Sequence, residues 1–179
     1  KRILTLCAQP LFAARGSPIR VKAFLRALGN KGFRVDVVTL PFGEEVVLPP
    51  SIRLFRVCNF IFAKTVRIGP SVAKFFLGAL VALRAFFFAL VRPYSTVHGI
   101  EEMGLPAWFI ARLTRSRFVY EKHSDPDSYR SESRFKNCVI AVYARVEKFV
   151  CRRADVVVVT GPGLAKQVAG YGTKAVIRT

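Results

Sequence analysis

Short apolar runs alternate along the chain with longer stretches in which apolar residues return every three or four positions. The first run, "RILTLCA", is bounded by Gln9 and Pro10 and reads as a buried strand. Ile19, Val21, Phe24, Leu25 and Leu28 then recur at helical spacing. Ser17 is placed to cap that helix and Pro18 suits its first position. Gly29-Asn30-Lys31-Gly32 should end it, and "FRVDVVTL" is the next strand.

This strand–loop–helix–strand unit repeats in kind. "SIRLFRV", "STVHGI", "RFVYEKH", "ADVVVVT" and "KAVIRT" are strand-like. Residues 71–92, 104–114, 136–153 and a short segment from Gly163 carry helical patterns between them. Such alternation predicts the α/β class: a Rossmann-like, doubly wound parallel sheet with helices on both faces. There is no short-period repeat and no low-complexity segment.

The segment 72–91, "VAKFFLGALVALRAFFFALV", is about as long as a membrane span. Arg84 sits near its middle, where insertion costs roughly 2.5–3.5 kcal/mol. Topology weighs more: a span would put the flanking strands on opposite sides of the bilayer, where they could not share a sheet. Two readings stay open, a crossover helix buried against the sheet and one whose outer face also touches a membrane.

A length of 179 residues suits one domain, and 52% hydrophobic residues suffice for a core. Twenty-nine Lys and Arg against eleven Asp and Glu give +18, a field that attracts nucleic acid, anionic headgroups or phosphorylated ligands. Cys7, Cys58, Cys138 and Cys151 have no metal-ligand spacing and read as reduced thiols of a cytoplasmic protein. The two histidines complete no zinc pattern. The sequence opens at Lys1 without a signal-peptide pattern and ends inside a strand-like run, as a fragment would.

Three loops fall beyond the carboxyl ends of predicted strands, the edge where parallel α/β sheets bind ligands. In "ARGS", Gly16 allows close backbone approach, and Ser17 opens a helix whose free N–H groups suit a phosphate. Arg15 and Arg20 favour an anion there; an ordinary capped helix start is the competing reading. In "VHGIEEMG", His98 is followed by Glu101 and Glu102, either dipole partners of the next helix or carboxylates for sugar hydroxyls. In "EKHSDPD", His123 can exchange a proton or hydrogen bond with a substrate. Asp125 and Asp127 are placed to cap the turn at Pro126, and Asp125 is also a substrate-binding candidate.

Other templates fail. There is no GxxxxGK[ST] and no GxSxG. "TGPGLAK" lacks the third glycine of a dinucleotide turn and reads as a tight strand-to-helix connection. No RNP or helix-turn-helix pattern supports nucleic-acid binding, which would rest on charge alone.

"RGSPIRVKAFLRALGNKGFRVDVVTL", "RPYSTVHGIEEMGLPAWFIARLTRSRFVYEKHSD" and "VEKFVCRRADVVVVTGPGLAKQV", in that order, resemble family-4-like glycosyltransferases of the GT-B fold. Phe33 stands where that family has a turn histidine, and the first loop has a single glycine where the family often has two. The chain resembles the N-terminal, acceptor-side domain over residues 1–179, without the C-terminal domain that holds the nucleotide-sugar. The resemblance implies a retaining transfer of a hexosyl group to a glycan or lipid-linked acceptor, as in polysaccharide biosynthesis. It implies no cofactor and no required metal, the nucleotide-sugar being a substrate. His123 would contact the donor sugar, Gly16 and Ser17 the diphosphate or acceptor, and Glu101 and Glu102 the acceptor. The other half would come from the same chain or a partner subunit. The charge and the apolar basic helix fit peripheral attachment to an anionic membrane, on its inner face. A non-catalytic acceptor-binding subunit and a GT-B nucleotide-sugar epimerase are the alternatives.

Overall fold

The computed structural model describes residues 1–11, 16–59 and 72–178. Seven strands form one sheet: β1 (Arg2–Cys7), β2 (Arg34–Thr39), β3 (Ile52–Arg56), β4 (Thr96–Ile100), β5 (Arg117–Lys122), β6 (Val156–Val159) and β7 (Val176–Arg178). Their order is β3-β2-β1-β4-β5-β6-β7, and every pairing is parallel. Five helices connect them: α1 (Gly16–Asn30), α2 (Val72–Val91), α3 (Gly104–Thr114), α4 (Arg134–Arg153) and α5 (Pro162–Ala169). The doubly wound Rossmann-like sheet expected from the alternation is present.

Side-chain alternation sorts the core into two layers. Ile3, Cys7, Val35 and Val37 pack with Val21 and Leu25 of α1. Leu4, Leu6, Val38 and Val97 point the other way, against Leu77, Val81 and Ala85 of α2 and Ala107, Ile110 and Ala111 of α3. Val150 and Cys151 of α4 and Val168 of α5 complete that second layer. The chain winds outward from β1 in both directions, so the connections leaving β1 and β4 turn to opposite faces. At such a reversal, the carboxyl edge is where parallel α/β sheets bind ligands.

One detail departs from the sequence reading. α1 already includes Gly16, so Ser17 and Pro18 are first-turn residues rather than cap and first position. The first turn tolerates Pro because N–H groups there have no intrahelical acceptor. Arg15 lies outside the described residues.

α2 settles as a crossover helix that is apolar on both its inner and outer faces. Leu77, Val81, Ala85 and Ala89 are buried while Phe76, Leu83, Phe87 and Leu90 face outward. Ala73–Val91 has the length and composition to cross a membrane. The strands before and after it, β3 and β4, belong to one sheet, and this rules out a span. Arg84 explains why a charge is tolerated mid-helix. Its guanidinium donates to the Arg56 carbonyl at 2.5 Å and lies over the rings of Phe55 and Phe88, 5.6 and 5.5 Å from their centroids.

Gly99 sets how closely α3 approaches β4. A Cβ there would stand 2.6 Å from Ala107 Cβ and 2.7 Å from the Met103 carbonyl oxygen. The four cysteines are free thiols, Cys7 and Cys151 buried, Cys58 and Cys138 exposed.

Candidate active site

The carboxyl ends of β1, β4 and β5 adjoin because these strands are neighbours in the sheet. Strand alternation gives the third loop its centre. Glu121 and His123 are two apart and share the α1 side of the sheet, where His98 of β4 also lies. Glu121 Oε1 is 2.7 Å from His123 Nε2, and its Oε2 is 3.0 Å from His98 Nε2, an ion-pair distance without an aligned hydrogen bond. Burial would raise the Glu121 carboxyl, but the hydrogen bond from His123 and the close approach and charges of His98 and His123 outweigh it and hold it at about 2. The carboxylate therefore stays ionised and fixes the tautomer of its neighbour: His123 Nε2 carries the hydrogen it donates. His123 Nδ1 is buried and has no hydrogen-bond partner among the described residues. A ligand group at this edge would satisfy it.

Glu101 secures the same loop from the neighbouring strand. It sits at φ 52°, in the left-handed region, at the end of β4. Its Oε1 accepts the backbone N–H of His123 at 2.6 Å, and its Oε2 accepts the Ser124 hydroxyl at 3.1 Å. Burial pushes its carboxyl above the ordinary range, against the opposing pull of His123. One carboxylate thus holds the His123 backbone while another holds its ring.

The remaining predicted residues fall into place around this pair. His98 is 2% exposed and packs edge-on against Phe24 of α1, with ring centroids 5.2 Å apart. It touches Glu121 rather than the open edge. Glu102 is paired with Lys74 of α2 at 2.5 Å. Asp125 caps the 3-10 turn Pro126–Tyr129 by accepting the Asp127 N–H at 3.1 Å, and Asp127 pairs with exposed Arg130. Gly16, Ser17 and Arg20 stand in the first turns of α1, beyond β1, with Gly16 exposed. No Cβ clash constrains Gly16, and no acidic residue occupies that first turn. The N-terminus of α1 follows β1 at the same edge of the sheet as the carboxylate-braced imidazole.

Glu121 itself is missing from the residues predicted for the site, although its spacing of two from His123 on a strand is a legible signal. Lys122 points to the opposite face, where it is fully buried and donates to Glu147 of α4. Burial raises the Glu147 carboxyl to about 7, against the opposing charge of Lys122. No cluster of three His, Cys, Asp or Glu among the described residues is arranged to hold a metal ion.

Residues 15–178 match the model of the glycosyl transferase 4-like domain. The chain belongs to that family. Among solved structures, sucrose-phosphate synthase of Thermosynechococcus elongatus is 19% identical, with a TM-score of 0.64 over 99% of this chain and 46% of that one. UGT2 of Phytolacca americana, complexed with UDP-2-fluoro-glucose and pterostilbene, is 9% identical, with a TM-score of 0.59 over 93% of this chain and 49% of that one. The calicheamicin glycosyltransferase CalG4 is 13% identical, with a TM-score of 0.52 over 97% and 51%. At these identities the likeness is one of fold. This glycosyl transferase 4-like chain spans about half the length of those structures. No curated protein sequence matches it. The family and fold implied by its three sequence motifs are thus borne out.

Proposed function

We propose that this domain is the acceptor-side half of a retaining glycosyltransferase, acting on a nucleotide-sugar held by a second domain. The observation that carries the reading is the grip of Glu121 on His123 Nε2 at the carboxyl edge of β5, which leaves the buried Nδ1 unpartnered. Family membership supports the reaction class, and the UDP-sugar bound to the Phytolacca relative supports a nucleotide-sugar as donor.

In this reading His123 contacts the donor sugar as it crosses the edge of the sheet. Glu121 holds the ring in one tautomer and one orientation, and Glu101 holds the backbone beneath it. The N-terminus of α1 at Gly16 and Ser17 faces the phosphates or the acceptor. The acceptor is a glycan or lipid-linked saccharide. His123→Ala in the full-length protein, assayed below its own unfolding midpoint with a panel of nucleotide-sugars and saccharide acceptors, should lower transfer at least a hundredfold, and the midpoint itself should fall because buried Glu121 loses its partner. Transfer at the wild-type rate would remove His123 from the reaction. Turnover of a nucleotide-sugar without any acceptor would replace transfer by epimerisation.

A further inference from the structure

α2, α3 and α4 pack side by side on one face of the sheet, and Trp108 of α3 meets Phe149 of α4 edge-on at 4.9 Å. Their outward surface is unusual in two ways. First, it is rich in exposed apolar side chains. Phe75, Phe76 and Phe87 of α2 are 74%, 59% and 55% exposed. Leu105, Phe109 and Leu113 follow on α3, and Phe135, Val139 and Val142 on α4. Soluble monomers seldom leave so broad an apolar surface in water without use for it.

Second, the charge its helices expose has one sign. α2 and α3 contain no Asp or Glu, and the single acid of α4, Glu147, is buried against Lys122. Exposed cations stand among them: Arg112 and Arg115 at the end of α3, and Lys136 and Arg145 on α4, while Lys148 and Arg152 turn toward Tyr171.

We infer that this three-helix face docks flat on an anionic phospholipid bilayer, with the apolar side chains among the headgroups and the cations against lipid phosphates. Charge complementarity chooses the occupant. A symmetric dimer through this face would bring the cations of these helices toward those of its copy, with no exposed carboxylate on the helices themselves to relieve them. An anionic bilayer answers both the apolar area and the single sign of charge. It needs no pocket and no fixed pattern of polar partners.

The fold also sets the orientation. In a parallel sheet each connecting helix begins at the carboxyl edge of the strand before it. Phe75, Phe76, Leu105 and Phe135, near the starts of their helices, therefore stand at the edge that bears His123. Docking by this face places that edge beside the headgroups.

The test is flotation of the full-length protein with vesicles of neutral phosphatidylcholine and with vesicles containing about a third phosphatidylglycerol. Partitioning should be at least tenfold stronger on the anionic vesicles and should weaken as salt rises. Phe76→Ser with Phe87→Ser should lower anionic-vesicle binding about tenfold, and Arg112→Glu with Arg145→Glu should abolish the preference for anionic lipid. All four side chains are exposed, so unfolding midpoints should not move. Absence of binding to either vesicle, or variants that bind as the wild type does, would overturn the proposal. So would a wild-type dimer that the phenylalanine pair turns into monomer without changing flotation, an outcome that assigns the face to a second copy.

Discussion

Glu121 Oε1 and His123 Nε2 lie 2.7 Å apart at the end of β5, on side chains that strand alternation sends to the same face. The pair makes Glu121 a positioning residue for the imidazole. Glu121→Gln keeps the shape but removes the charge, and the amide can present a donor where the ring needs an acceptor. In the full-length protein this should lower kcat about a hundredfold, with KM changed much less, since misplacing a reacting group by an ångström has that effect. A pH–rate profile that shifts with the substitution would separate positioning from simple loss of fold.

The same carboxylate predicts acid sensitivity. Its folded value, about 2, lies below the ordinary 4.5, so its stabilisation is complete above 4.5 and is lost as pH falls toward 2. Asp36 adds to this in the same direction. Burial opposes its ionisation, but hydrogen bonds from Arg53, at 2.8 Å, and from Tyr94, at 2.7 Å, lower its carboxyl. Urea midpoints measured from pH 7 to pH 2 should fall through this window. Glu121→Gln should flatten the fall by about 3 kcal/mol. A curve identical to wild type would show that Glu121 is not held ionised in the fold.

Lys122 and Glu147 invite a double-mutant cycle. Each is buried, and each is the other's ionic partner across the β5–α4 contact. Lys122→Met or Glu147→Leu alone should cost roughly 3–5 kcal/mol, because each strands a buried polar or charged group. The double variant should recover most of that loss. Additive losses in chemical denaturation would mean that the two groups do not depend on each other.

Gly99→Ala tests the close approach of α3 to β4. The added Cβ would meet backbone and a core methyl rather than a flexible side-chain end, so α3 must shift. Overpacking of this kind costs about 1–3 kcal/mol. Glu101 lies two residues on, so the shift should also loosen its bond to the His123 backbone and reduce turnover. A fully stable and fully active variant would show that the junction has slack.

The elements were legible because their periods differ so plainly. "VVVV" in β6 and the stripe Ile19, Val21, Phe24, Leu25, Leu28 in α1 admit one reading each. The site was legible only in part. The sequence places His123 and Glu101 at a strand end. It does not show that Glu101 bonds the His123 backbone, because that needs the left-handed turn at Glu101 and the register of β4 on β5. His98 reads as a strand-end ligand group, yet Phe24, arriving from α1 on the far side of β1, covers it. Asp125 follows the local rule that Pro126 suggested and caps its turn. Lys122 carries no signal, since its partner lies twenty-five residues away on another element.

Arg84 bears on more than the burial of one charge. A helix as apolar as α2 has no strong preference for which side to turn inward, and several rotations about its axis would bury similar area. The guanidinium removes that freedom. It must reach the Arg56 carbonyl and the rings of Phe55 and Phe88, and only one rotation permits this. It acts as a key in a keyway: with Lys74, which pairs with Glu102 near the start of the helix, it sets the phase of α2. Which phenylalanines meet the sheet and which meet the outside is thus decided at these two side chains. Exchange of Arg84 for leucine would leave the helix greasy enough to fold and freer to choose its own front.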